Sequence, residues 1–591
     1  MLTRVIFCCL VFASVFLLLS FAAAYYFTGS GIDEAALYHL SYGLSGSGFK
    51  EYTGLIVTMS GLLLICCGAL FWATTRWKQQ RVNKSRPTAT LLYGSLVASL
   101  LFNPAISDLY HAYQRVAAPS QQANLQASAS FYQHYKKPFI KSTSNKHKNI
   151  VFIYAESLER TYFNEASFPG LIKELRKLEK ISTYFTDIRQ VSGTGWTVAG
   201  MTASQCGIPL ATPSHGNSMS GMDRFLSSAI CLGDLLNQTN YQLEYMGGAD
   251  IRFAGKHKLL KTHGFEQISG RDELAPKLPD ANYKTGWGLY DDSLFAMVYQ
   301  RFTELSQAGG NFGLFTLTLD THHPNGHPSA TCKEKVYGDG SNPILNAVAC
   351  SDFLIADLVN KIKQSPHADN TLVVVASDHL AMRNTASDLL QKQQRRNLFM
   401  IIDLANPAPT AINKVGSSLD IGATVIPFLG FRGEIGLGRN LLDPEASKAE
   451  RVYIHANLRN WRQPILSFWD FPKLRNSLEL NIERRYASID DRKFKIPMLI
   501  EFEDASVSTI KFEFDKSSGH KSLVQHRQEI SDTQQFILID SCAHVSQLDR
   551  SLGGNGFCLL AGQGKRYSKI ARLSTNISFT ADETRNLLTI Q

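Results

Sequence analysis

Residues 149–157 read NIVFIYAES. Six successive apolar residues follow Asn149, several of them β-branched or aromatic, and the run stops on a glutamate and a serine. A strand apolar at every position, not at every second one, is predicted to be covered on both faces, as in a parallel sheet flanked by helices. Reading outward, the same grammar recurs as QLEYMGG (242–248), FGLFTLTLD (312–320) and NTLVVVAS (370–377). Helix-like stretches lie between, such as PGLIKELRKLEK (169–180) and AVACSDFLIADLVNKIKQ (347–364). Buried strands alternating with helices predict an α/β fold with a mostly parallel sheet and helices on both faces.

The pattern runs from 148 to about 445. Beyond it, IPMLIEFED (496–504), TIKFEFD (509–515) and QQFILIDSC (534–542) read as strands of a smaller, β-rich C-terminal domain over 446–591. A chain of 591 residues is in any case too long for one core.

In open α/β sheets ligands bind beyond the carboxyl ends of the strands. Glu156 and Ser157 follow the first run, and Asp250, Arg252 and Lys256 follow the second. His322 and His323 follow the third, and Asp378 and His379 the fourth. Each has a plain structural explanation, as a helix cap, a turn or loop polarity. Together they bring carboxylates and imidazoles from separate strands to one edge, the donor set of a divalent cation. A further stretch, QVSGTGWTVAGMTASQCGIPL (190–210), is uncharged. It reads as a glycine loop running into a helix with Thr197 in its first turn, where free amides and the helix dipole favour a phosphate. With no His or Lys beside it, a threonine nucleophile there needs a metal to lower its pKa. Thr194 is the rival hydroxyl, and N-capping is the structural alternative for both.

Three apolar runs near the N-terminus, 5–27, 54–74 and 88–104, predict about three membrane helices within residues 1–115. The first also fits a signal peptide, with Arg4 ahead of it and Ala22, Ala23 and Ala24 behind. Residues 28–52 carry a net −2, while 75–87 carry Arg76, Lys78, Arg81, Lys84 and Arg86 and no acid. The positive-inside rule then makes the N-terminus and the 75–87 loop cytoplasmic and sends everything after about 105 outside. Residues 116–147, rich in Ala, Ser, Gln and Lys, read as a tether. The formal net charge of +9 is diluted over the chain, so it is no nucleic-acid signature.

Cys206, Cys231, Cys332, Cys350, Cys542 and Cys558 lie outside the apolar runs. Their even number and outer location predict disulfides. Sequential pairing is one of fifteen connectivities, and the absence of a C-x-x-C spacing argues against zinc.

Several long stretches occur in order: VFIYAESLERTYF (151–163), GTGWTVAGMTASQCGIPL (193–210), ICLGDLL (230–236), RFAGKHKLLKTHGF (252–265), LFTLTLDTHHPNG (314–326) and VVVASDHLAMRNTA (373–386). With YYFTGSGIDEAALY (25–38), they resemble the phosphoglycerol transferase I family. That family stands with lipoteichoic-acid synthases in the sulfatase-like branch of the alkaline phosphatase superfamily. The resemblance implies a threonine nucleophile and one divalent cation, manganese with magnesium as the alternative. It places the nucleophile on Thr197 and the metal ligands on Glu156, Thr197, Asp378 and His379. His322 falls on the substrate-binding histidine. Lys256, with Arg252 and Asp250 nearby, falls where the synthases hold the headgroup with an arginine, and Trp196 falls on the wall.

The implied activity is transfer of sn-glycerol 1-phosphate from phosphatidylglycerol to a periplasmic β-glucan, at the outer face of the inner membrane. Phosphoethanolamine transfer shares the threonine and the metal. A non-catalytic glucan-binding protein would have no need of the ligand set. No C-x-P-x-R or S-x-P-x-R surrounds Thr197 to supply the formylglycine of a sulfatase.

Overall fold

The structure is a computed structural model that describes residues 2–28, 31–33, 36–37, 53–79, 101–116, 121–212, 225–469, 477–489, 492–503, 506–512, 522–552 and 554–589. Two helices of 27 residues, α1 (Leu2–Thr28) and α2 (Thr53–Gln79), open the chain. At 1.5 Å per residue each is about 40 Å long, enough to cross a bilayer. The Cys9–Tyr26 window of α1 has a mean hydropathy of 2.1, and only 6% of it is buried by the protein. Lipid is the solvent that suits such a surface.

Helix α3 (Pro104–Val116) takes proline at its first position, where no amide is needed. It folds back beside α1. Asn103 Nδ2 donates to the Ser14 carbonyl (2.9 Å), and the Ile32 amide donates to Asp108 Oδ2 (2.9 Å). Most of the third apolar run, 88–104, lies outside the described residues.

The stretch 116–147, expected as a tether, carries regular structure among its described residues. It forms α4 (Gln121–His134) and a strand, Lys136–Ser142, paired antiparallel with Phe431–Gly436. Its anchor is Phe131, fully buried with ring centroids 5.8 Å from Trp461 and 6.1 Å from Phe468. Tyr135, 5.2 Å from Phe468, and His134, 5.7 Å from Trp461, join it in docking the segment.

The central sheet has eight strands: β1 (Asn149–Ala155), β2 (Thr183–Phe185), β3 (Gln242–Gly247), β4 (Gln267–Ser269), β5 (Phe312–Leu317), β6 (Thr371–Ser377), β7 (Phe399–Asp403) and β8 (Thr410–Ile412). Their order is β8-β2-β7-β6-β1-β5-β3-β4, and only β7 runs antiparallel to its neighbours. The four runs read as buried strands are β1, β3, β5 and β6. Side chains alternate between two cores. Ile150, Phe152 and Tyr154 of β1 enter one, and Val151, Ile153 and Ala155 enter the other. The first core is covered by α5 (Thr197–Cys206), α6 (Leu232–Gln238) and α7 (Lys256–Thr262). The second is covered by α8 (Asp291–Ala308) and α9 (Pro343–Gln364). Although α9 is long and apolar, it is a core helix, since 67% of it is buried. In the stretch 169–180 only Glu174–Glu179 is helical, entered where Asp352 accepts from the amides of Lys173, Glu174 and Leu175.

The first core also extends past 445. Trp461, Phe468 and Trp469 belong to it, and Trp469 Nε1 donates to the Ala211 carbonyl (2.7 Å). Two antiparallel sheets follow. β9 (Ser477–Asn481), β10 (Tyr486–Ile489), β11 (Arg492–Lys495) and β17 (Ile577–Thr580) are ordered β11-β10-β9-β17. β12 (Met498–Glu503), β13 (Ser506–Phe512), β14 (Gln535–Ser541), β15 (Phe557–Gln563) and β16 (Arg566–Leu573) are ordered β13-β12-β14-β15-β16. All six cysteines pair sequentially, as Cys206–Cys231, Cys332–Cys350 and Cys542–Cys558.

Candidate active site

Strand β1 lies where the connections reverse direction, with β5 on one side and β6 on the other. The carboxyl ends of these three strands therefore open a crevice. Glu156 leaves β1 and Asp378 and His379 leave β6. Their ligand atoms lie within 4.8 Å of one another, and all three side chains are buried.

His379 Nδ1 lies 2.8 Å from the Leu380 carbonyl, which can only accept, so the ring hydrogen sits on Nδ1. Nε2 then faces Glu156 Oε1 at 3.5 Å and Asp378 Oδ2 at 3.3 Å. Three possible ligand groups converge, and Asp378 Oδ2 is buried without a hydrogen bond. This set fits a divalent cation, with the Leu380 carbonyl fixing the histidine tautomer from behind.

Titration follows the same geometry. Burial and the Glu156 charge push Asp378 up to about 8. Burial alone would lower His379, but the Asp378 charge and the Glu156 hydrogen bond outweigh it and raise the ring to about 9. Burial would raise Glu156, yet its contacts with His379 hold it well below the carboxylate range.

Thr197 begins α5, and its hydroxyl donates to Glu156 Oε2 at 3.4 Å. The other nine residues of the helix are buried, and Thr197 alone is partly open. No side chain caps the first turn, because its N-cap is Trp196 in extended conformation. The positive end of the helix thus points into the crevice. Position is set by contact at Gly200, where a Cβ would fall 1.7 Å from the Asp378 carbonyl oxygen. At the far end, Tyr154 of β1 bonds Ser204 Oγ (2.8 Å) and accepts from Gln205 Nε2 (2.9 Å), and Cys206 is tied to Cys231.

Thr194 has a different occupation. It is fully buried, donating to the Val191 carbonyl (2.8 Å) and accepting from the Val191 amide (3.1 Å). Its hydroxyl closes the glycine loop. Trp196, the N-cap of α5, is 4% exposed.

Lys256 starts α7 and is buried, with Nζ 5.2 Å from the Phe253 ring centroid. Among the described residues no carboxylate lies within ion-pair distance of it. Burial lowers its ammonium to about 8, against the pull of Glu156, Asp250 and Asp378. Arg252 and Asp250 are committed to each other. The Arg252 fork bonds Asp250 at 3.0 and 2.6 Å and reaches Asp272 at 2.9 Å, while Arg271 adds a bond to Asp250 at 3.0 Å. They brace the Lys256 loop. His322 donates from Nδ1 to the His323 carbonyl (2.9 Å) and rests 4.3 Å from the Trp287 ring.

Three features of the site had escaped the strand-end reading. Glu159, fully buried, receives the fork of Arg395 together with the Ala381 amide (3.2 Å), and so fixes the loop after His379. Asp291 and Asp320 form a buried acid pair that holds the His322 loop. Asp291 accepts from the amides of Leu319 (2.7 Å) and Asp320 (3.0 Å), and Asp320 accepts from Asp291 (3.1 Å) and Ser329 (3.0 Å). Asp320 ends FGLFTLTLD and was findable by the same rule, whereas Arg395 carried no local signal. Trp287, the platform for His322, lies in a loop without periodicity.

Family models match three segments: "Phosphoglycerol transferase I, N-terminal domain" at 1–122, "Sulfatase" at 148–431 and "Phosphoglycerol transferase I, middle domain" at 476–589. A phosphoglycerol transferase I from Shigella flexneri is 36% identical over 532 residues, covering 89% of this chain and 67% of its own. One from Escherichia coli is 35% identical over 550 residues, covering 92% and 70%. A solved structure from Vibrio parahaemolyticus, described as a protein in the alkaline phosphatase superfamily, aligns with a TM-score of 0.47 at 19% identity over 69% of this chain and 91% of that one. The chain belongs to the phosphoglycerol transferase I family, phosphotransferases with a sulfatase-like α/β domain.

Proposed function

We propose that this chain moves sn-glycerol 1-phosphate from phosphatidylglycerol to a periplasmic β-glucan through a covalent intermediate on Thr197. The observation that carries the reading is the meeting of one partly open hydroxyl with three buried ligand groups at the end of an uncapped helix. Glu156, Thr197, Asp378 and His379 are the residues that would hold one divalent cation, manganese in this reading. When bound, the cation lowers the pKa of the threonine hydroxyl and draws charge from the phosphoryl oxygens.

In the first half, Thr197 Oγ1 attacks phosphorus and the bond to the diacylglycerol oxygen breaks. Diacylglycerol leaves with a proton, and glycerophospho-Thr197 remains. The first-turn amides of α5 face the phosphoryl oxygens, where the helix dipole favours negative charge. Lys256 supplies a point charge to the same oxygens, and His322 orients the glycerol. In the second half a glucan hydroxyl attacks phosphorus, and Oγ1 is the leaving group. Opposite-face attack in each half leaves the configuration at phosphorus retained overall. The apolar helices anchor the domain beside its donor with the N-terminus cytoplasmic and the catalytic domain periplasmic, which raises the effective donor concentration.

The test gives purified full-length protein labelled phosphatidylglycerol, manganese and a β-glucan, beside Thr197→Ala. Diacylglycerol release and label on the glucan are expected from the wild type only. Wild-type release rates from Thr197→Ala would overturn the nucleophile, and insensitivity to a chelator would overturn the cation. Faster turnover with phosphatidylethanolamine in the same assay would reassign the donor.

A further inference from the structure

The outer end of α1 is built into the mouth of the site. Tyr26 packs, with Ala249 and Phe253, onto a small cluster formed by buried Trp287 and Leu319. One residue earlier, the Tyr25 ring lies 4.8 Å beneath the guanidinium of Arg383, four residues past His379 in the sequence. From this cluster an aromatic path runs inward. Trp287 stands 5.3 Å from Phe253, edge to face, and 4.3 Å from the His322 ring, while Lys256 Nζ lies over Phe253 at 5.2 Å.

The path starts where α1 stops being apolar. Its 18-residue hydropathic window ends at Tyr26, and paired tyrosines at the end of such a run are what a helix places at the headgroup level. The level at which the bilayer surface meets α1 is therefore the level at which the crevice opens. Arg383 is exposed there, a cation with a planar fork suited to lipid phosphates.

We infer that Tyr25, Tyr26, Phe253 and Trp287 form an aromatic threshold that draws a long-chain glycerophospholipid from the bilayer surface to His322 and Lys256. Helix α1 is then a specificity-determining wall of the donor site as well as an anchor. The ring bodies face the acyl and glycerol portion of the donor, and the polar edges of the tyrosines face the headgroup layer. The inference rests on the phosphatidylglycerol reading above.

The experiment uses the full chain in nanodiscs and measures diacylglycerol release from two donors, a long-chain phosphatidylglycerol in the bilayer and dihexanoyl phosphatidylglycerol in solution. Tyr26→Ala is expected to raise KM for the bilayer donor about tenfold more than for the short-chain donor, the effect of withdrawing one ring from apolar contact. Tyr26→Phe is expected to restore most of that difference. Equal losses on both donors would overturn the inference by making Tyr26 a general packing residue, and so would no change on either. A wild type inert toward both donors would instead overturn the functional reading on which the inference stands.

Discussion

A Cβ on Gly200 would sit 1.7 Å from the carbonyl oxygen of Asp378. Residue 200 lies on the first turn after Thr197, so this contact sets the distance between Thr197 and the loop that carries Asp378 and His379. Gly200→Ala in an ordinary helix would gain about 1 kcal/mol. Here it must push α5 away from the loop, and overpacking of that kind costs about 1–3 kcal/mol. A displacement near 1 Å at Thr197 is enough to lower turnover about a hundredfold. Thermal unfolding and diacylglycerol release, measured together, separate the two effects: the activity loss is expected to exceed what the modest fall in Tm explains.

The Asp378–His379 pair makes the protein without a bound cation sensitive to alkali. Asp378 rises from 3.8 to about 8 on folding, and His379 rises from 6.5 to about 9. Between these limits the folded state holds more protons than the unfolded one, so stability falls as pH rises. Chelated protein is expected to melt at lower temperature at pH about 8.5 than at pH about 6. Added manganese needs the deprotonated ligands and gives its largest increment at the alkaline end. In Asp378→Asn the pH slope flattens and the manganese increment disappears. Calorimetry with and without a chelator across this range checks both signs.

Much of this site was legible before any coordinates, for a physical reason. Strands buried on both faces must be apolar at every position, so β1 and β6 stand out from the chain, and the polar residues at their carboxyl ends, Glu156, Asp378 and His379, stand out with them. Thr197 was readable as a helix start, but its separation from Thr194 needed either family resemblance or the Val191 hydrogen bonds. What was hidden is non-local. Glu159 meets Arg395 across 236 residues, and Phe131 docks a polar-looking segment only because Trp461 and Phe468 arrive from the far end of the same core. Gly200 looked like any helical glycine until the Asp378 backbone was placed against it.

If Lys256 meets the donor phosphate as proposed, donor binding acquires a second pH dependence. Burial brings its ammonium from 10.5 to about 8. A protonated amine attracts the phosphodiester and a neutral one does not, so kcat/KM is expected to fall as pH rises through about 8. Lys256→Arg keeps its charge at every accessible pH and should abolish that limb, at some cost in fit because a planar fork replaces a point charge. Lys256→Met should raise KM by about tenfold or more, since hydrogen bonds to charged groups contribute about 1.5–3 kcal/mol. Steady-state profiles of the three proteins on one donor decide it.

The Glu159–Arg395 pair is the strongest test of how the ligand loop is held. Glu159 is fully buried, and beyond the Arg395 fork it has the Thr161 hydroxyl (2.5 Å) and the Ala381 amide. Arg395 also donates to the Ala381 carbonyl (2.6 Å), so the pair clamps the chain two residues past His379 from both sides. Arg395→Ala strands a buried carboxylate, a change that costs about 3–5 kcal/mol. Arg395→Lys keeps the charge but loses the fork, and should fall between. Glu159→Gln with Arg395→Met removes both charges and is expected to recover much of the stability without restoring the clamp. Denaturant unfolding then ranks wild type above the double variant, and the double variant above Arg395→Ala. Manganese affinity should be weakened in both, because each leaves the 378–381 loop unclamped. A double variant that regained full manganese affinity would show that the pair contributes stability alone and does not position His379.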